Sequence, residues 1–170
     1  SSDLQLPIPV IKTSAGWQFD IKEGAEEILT REIGRNELAA IEALHAYVDA
    51  QQSYFAMNQK YAQKIVSSKG KKDGLYWPAS PGEAPSPLGP AFSPKEPGTG
   101  YHGYRFRILP ESNGFAMVAW PVSYGQTGVM SFVINQDDRV YQSDLGSDSE
   151  QKARALAAYS PDKTWQPVAP

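Results

Sequence analysis

The 170-residue chain has no cysteine. That excludes a disulfide framework, a thiolate metal site, a cysteine nucleophile and an iron–sulfur cluster. It has two histidines, His45 and His102, too few for a metal site built mainly on imidazole. No apolar run approaches the roughly 18 residues of a membrane-spanning helix. Basic charge is not in excess: the net charge is −3, against the basic face of a nucleic-acid binder. There is no Gly-x-Ser-x-Gly elbow, Walker loop or dinucleotide fingerprint. No cofactor or metal is expected.

What remains is ordinary globular composition, 41% hydrophobic and 21% charged, enough for one domain over residues 1–170. The chain begins Ser1-Ser2-Asp3 without methionine. A processed product or a fragment is expected; a removed signal peptide would explain the start and gives the expected periplasmic or extracellular location.

Residues 1–34 read as a hairpin plus a short helix. Pro7 and Pro9 make the first stretch extended or an edge. Val10–Lys12 and Trp17–Phe19 flank turn residues, and Trp17 and Phe19 are expected to pack on a helix. Ala25, Ile28, Leu29 and Ile33 recur at helical spacing over 23–33, and Gly34 is expected to end that helix. Residues 35–66 carry the strongest periodicity: Leu38, Ile41, Leu44, Val48, Gln52 and Phe55, with Asn36 as the expected cap. A polar second half predicts a break or bend near Met57–Lys60. Residues 67–100 hold seven of the fourteen prolines and read as an extended loop, with Tyr76 and Trp77 anchoring its start.

Residues 101–146 read as an antiparallel meander of four strands, near Tyr104–Ile108, Phe115–Trp120, Val129–Ile134 and Arg139–Gln142. Residues 147–170 form a terminal helix, about 148–159, opened by the Ser147/Glu150 capping-box spacing, and a tail whose Trp165 folds back. The predicted class is α+β, a long helix packed on a four-stranded sheet.

Several motifs resemble one family: Ile33-Gly34-Arg35-Asn36-Glu37, Gly74-Leu75-Tyr76-Trp77-Pro78, Pro85 to Pro90, Tyr101 to Leu109, Ala119 to Phe132 and Val140 to Gly146. Together they resemble the bacterial domain-of-unknown-function family numbered 2950, over nearly the whole chain. The resemblance implies export and a fold, and no established activity. Members commonly carry an extra region ahead of this chain's first residue, and an insertion usual after the mid-helix aromatic is shortened here near Asn58–Tyr61. A weaker likeness joins Asn36 to Tyr54, Gly103 to Phe106 and Ala119 to Phe132 with the headgroups of type IV pilins and pseudopilins. The apolar N-terminal spine of pilins is missing, so assembly into a pilus is not implied.

Candidate chemistry is thin. His102, between Tyr101 and Tyr104, suits a general base or a plain hydrogen-bonded loop residue. His45 reads as a partly buried structural histidine. Glu42 with Asp49, and Asp137-Asp138 with Asp144 and Asp148, read as solvated faces and turns before calcium ligands. Gly125 to Gly128 reads as a bend, and Lys69, Lys71 and Lys72 as a solvated turn. Tyr76, Trp77, Tyr101, His102, Tyr104, Trp120 and Tyr124 form the candidate binding group. Aromatics beside prolines either make a recognition groove or pin the loop to the sheet. Two functions follow: a non-catalytic interaction or scaffold module presenting residues 74–102 to an unknown protein partner in the cell envelope, or an extracytoplasmic hydrolase using His102 with a carboxylate such as Asp144.

Overall fold

The computed structural model describes residues 8–92, 100–111 and 114–169. The extended reading of Leu4–Pro7, the Ser93–Thr99 end of the proline-rich loop and the middle of the turn after Glu111 lie outside these residues.

The hairpin forms as the turn residues require. Strand β1 (Val10–Thr13) pairs antiparallel with β2 (Gly16–Phe19), and Gly16 takes a φ of 118° that a side chain would resist. Val10, Lys12, Trp17 and Phe19 share one face by register. That face is open: Trp17 is 71% exposed and Phe19 60%, so neither packs on the helix as predicted. Lys12 Nζ lies over it, 5.9 Å from the Trp17 ring centre.

Helix α1 (Ile21–Asn58) is one helix of 38 residues, about 57 Å long, where the sequence predicts two. Asp20 caps it by accepting the Glu23 N–H at 3.1 Å. Gly34 sits in its interior with no left-handed φ. One interior glycine costs about 1 kcal/mol, too little to break a helix that is capped upstream and packed downstream. Asn36, the expected cap, instead donates from Nδ2 to the Thr127 carbonyl at 3.0 Å. Before Ala40 only Gly24 is buried, so the first half of α1 extends beyond the core. The helix ends where the polar stretch predicts a break, with Gln59 at φ 55° and its N–H on the Phe55 carbonyl. Residues 60–66 therefore do not continue it. They turn back, held by Gln51, whose buried amide donates to the Ala62 carbonyl at 2.8 Å and accepts the Ala62 N–H at 2.9 Å.

The second sheet runs in the order β3 (Tyr104–Leu109), β4 (Ala116–Pro121), β5 (Met130–Asn135), β6 (Tyr141–Asp144) and β7 (Gln166–Pro167), all antiparallel. The predicted four-stranded meander is present, and the tail adds a fifth, two-residue strand. Strand β4 is buried on both sides, as its unbroken apolar run requires. Met117 and Ala119 pack with Phe132 and Ile134 beneath α1, around Leu44, Tyr47 and Tyr54. Ala116, Val118 and Trp120 pack with Val133 on the opposite face, under helix α2 (Ser149–Ala155) and the tail residue Trp165.

Helix α2 is shorter than predicted. Arg107 of β3 ends it, donating from Nη2 to the carbonyls of Ala153 and Leu156 at 2.8 Å each. The capping box does not form either. A 3-10 turn over Gly146–Asp148 leads into the helix, and Glu150 is taken by two arginines.

The start of the proline-rich segment is pinned. The Ser67 N–H donates to the Tyr76 carbonyl and the Tyr76 N–H to the Ile65 carbonyl, both at 2.8 Å, and the Leu88 N–H reaches the Leu75 carbonyl at 2.9 Å. Leu75, Trp77 and Leu88 are buried.

Candidate functional site

The predicted aromatic group does not gather in one place. Trp77 is only 7% exposed, with Lys72 Nζ 5.4 Å from its ring centre. It borders a small cavity of about 260 Å³ beside Lys69 and Lys71. Tyr76 is half-buried against the main core. Tyr124 lies elsewhere, its hydroxyl donating to Asp144 Oδ2 at 3.1 Å, and this bond raises its pKa above the ordinary tyrosine value. Three members do converge: Tyr101, Tyr104 and Trp120 line a cleft of about 480 Å³.

The cleft's walls come from β3. Side chains alternate along a strand, so Tyr104 and Phe106 face α1 while Arg105 and Arg107 face α2. All four line the cleft, which therefore wraps the outer edge of the sheet's terminal strand. Ile65 and Val66 close it from the segment after α1, and Arg154 of α2 closes it from the other face. A tight turn delivers the strand. Tyr101 and Tyr104 exchange both backbone bonds, at 2.8 and 3.0 Å, across His102 and Gly103 with φ of 46° and 71°.

Charge in the cleft is positive. Glu150 Oε1 accepts from Arg105 Nη1 at 2.7 Å and from Arg154 Nε at 3.0 Å. The Arg154 bond, with the Arg105 charge behind it, holds the Glu150 carboxyl below its usual range. Arg107 adds a third guanidinium to the described lining. The Arg154 guanidinium also lies 5.5 Å from the centre of the Trp120 ring. Among the described residues two donors in this wall have no acceptor: Trp120 Nε1 and Arg107 Nε are both buried and unbonded.

His102 is not part of the cleft lining. Its ring is exposed and sits edge-on to Tyr101 at 4.4 Å. Among the described residues no carboxylate pairs with it, and Asp144 is occupied by Tyr124 and by the Gly146 N–H at 2.8 Å. The His102–Asp144 pair that a hydrolase would need is not assembled. His45 is half-buried, with Nδ1 2.7 Å from Asp138 Oδ1 at the surface. Among the described residues no group of three or more His, Asp or Glu side chains is placed to hold a metal ion.

The residues sequence reasoning missed are Arg105, Arg107 and Arg154. The first two stood out only as the polar half of an alternating strand. Nothing in the pattern says that a helix folds over that half and buries an arginine nitrogen.

The described residues thus form an α+β fold with a cleft at the edge of its larger sheet. The chain matches the family model described as Protein of unknown function (DUF2950) over residues 1–113 and 111–168, and it belongs to that family. No curated protein and no solved structure matches it.

Proposed function

We propose that this protein is an exported, non-catalytic interaction module of the bacterial cell envelope, and that it engages a protein partner through the cleft at the β3 edge. The observation that carries the reading is the composition of that cleft. Aromatic and arginine side chains, the residue types that dominate binding hot spots, line a concavity of about 480 Å³. The separation of His102 from Asp144 favours binding over hydrolysis. The pinned start of the 74–102 segment moves the expected recognition surface from Tyr76 and Trp77 to Tyr101, Tyr104 and Trp120.

Site-specific photo-crosslinking in the native bacterium tests both parts. A photoreactive side chain at Val66, which is 40% exposed and lines the cleft, should join the protein to one envelope component. An Arg154→Glu change should abolish that product, and a photoreactive group at Asp162 should not give it. Recovery of the protein in the cytosolic fraction would defeat the export reading. A Val66 crosslink indifferent to Arg154→Glu would defeat the cleft as the contact.

A further inference from the structure

The cleft's polar atoms say more than its shape. Trp120 is 2% exposed, yet among the described residues its indole N–H has no acceptor, and Arg107 Nε is buried in the same wall without one. Leaving a buried donor unbonded costs about 1–3 kcal/mol. Native structures keep few such groups, and each calls for a cause. Both orphans here are donors, so what they lack is an acceptor. The surrounding charge has the matching sign. Arg105, Arg107 and Arg154 line the cleft, and Glu150 is the carboxylate bonded to two of them. Ile65, Val66 and Phe106, on the α1 side of the strand edge, give the lining an apolar part.

We infer that this cleft takes a carboxylate carried on an apolar body, with its oxygens toward Arg154, Arg107 Nε and Trp120 Nε1 and its body against Phe106, Ile65 and Val66. The inference rests on the reading of the cleft as the binding surface. An acidic or C-terminal residue of a peptide and a free arylalkyl carboxylate share this chemistry. Glu150 is then the internal competitor: its carboxylate already occupies Arg105 and Arg154, and a ligand must share or displace those bonds.

Nitrogen-15 NMR of the full chain reads the site directly, since the Trp120 indole resonance is the one lost in Trp120→Phe. Titration with 3-phenylpropionate should shift that resonance saturably, and 3-phenylpropionamide should leave it in place. Gly-Gly-Phe with a free C-terminus and its C-terminal amide form the peptide arm. Saturation by the free tripeptide but not by 3-phenylpropionate assigns the source to a peptide, and the reverse assigns it to a free acid. Arg154→Gln should weaken binding about tenfold, the worth of one charge-assisted hydrogen bond. Glu150→Gln should tighten it by removing the competitor, with thermal melts confirming that both variants fold. Equal binding of acid and amide, or unchanged affinity in Glu150→Gln, overturns the carboxylate. If no probe moves Trp120 while the Val66 crosslink persists, this inference fails and the interaction module stands.

Discussion

Gly128 lies against the phenol of Tyr104: a Cβ added at Gly128 would sit 2.1 Å from the Tyr104 hydroxyl oxygen. That hydroxyl cannot simply swing away, because it donates to the Met130 carbonyl at 2.8 Å and its ring is fully buried beside Phe132. Gly128→Ala should therefore destabilise the domain by about 1–3 kcal/mol, the cost of overpacking. Thermal melting reads the change, and an unaltered midpoint would show the contact to be slack.

Glu37 ties the helix to the same place. Its Oε1 accepts the N–H groups of Val129 and Met130 at 2.9 and 3.0 Å. Glu37→Ala leaves both donors without their acceptor and should cost about 2 kcal/mol in urea unfolding. Glu37→Gln retains an acceptor oxygen and should cost less. Equal losses in the two variants would mean that Glu37 acts through its charge, not through these bonds.

Gly34 gives the opposite sign. It is inside α1, and a Cβ there meets nothing within 4 Å. Gly34→Ala should stabilise the protein by about 0.5–1 kcal/mol through helix propensity alone. A loss of stability would indicate that α1 bends or ends at this residue.

Alkaline pH should unfold the domain through its tyrosines. Burial pushes the hydroxyls of Tyr47 and Tyr104 well above the ordinary tyrosine value, Glu37 adding to the effect at Tyr104. Tyr159 is pushed up to about 12, by burial first and then by Tyr141, Asp137 and Glu111. Folded values above the unfolded one mean that the native state favours the neutral phenol. The stabilisation is fully present below about pH 10 and is lost as pH rises through the raised values. In a spectrophotometric titration, part of the tyrosinate signal should appear only together with the loss of far-UV circular dichroism. Complete ionisation of all the tyrosines in a still-folded protein would contradict this.

Acid acts on a clip in the loop after α1. Asp73 accepts from Lys64 Nζ and from the Ser68 N–H, both at 2.7 Å, and the lysine first, then the backbone bond, hold its carboxyl far below the usual range. A depressed folded value stabilises above the unfolded value of about 4 and is lost as pH falls beneath it. Asp73→Asn should lower the melting point at pH 7, with a gap that narrows below pH 4. A gap independent of pH would assign the effect to shape.

The comparison of stripe and core shows where pattern reading fails. Leu38 and Phe55, which mark the apolar stripe by type, are exposed, as is Gln52. Leu44 and Val48 of the predicted stripe are buried, and Ala40, Tyr47, Gln51 and Tyr54 join them. Two of these hide polar atoms that find distant partners: the Tyr47 hydroxyl donates to the Ala116 carbonyl at 3.2 Å, and Gln51 holds Ala62. A helical period marks a face only to within a residue or two when tyrosine and glutamine can be satisfied inside. Asn36 illustrates the same point at a helix boundary, since its cap-like amide is used 91 positions away at Thr127.

Local chemistry in the sequence determined the hairpin around Gly16, the end of the long helix near Asn58, the strands of the meander and the membership of the family, because turns, periodicity and alternation act between near neighbours. The tertiary structure alone decided that α1 passes through Gly34, that the tail adds β7, and that Arg105, Arg107, Arg154 and Trp120 meet at one strand edge. Those outcomes depend on which face α2 covers and which distant carbonyls accept a side chain, and no window of adjacent residues holds that information.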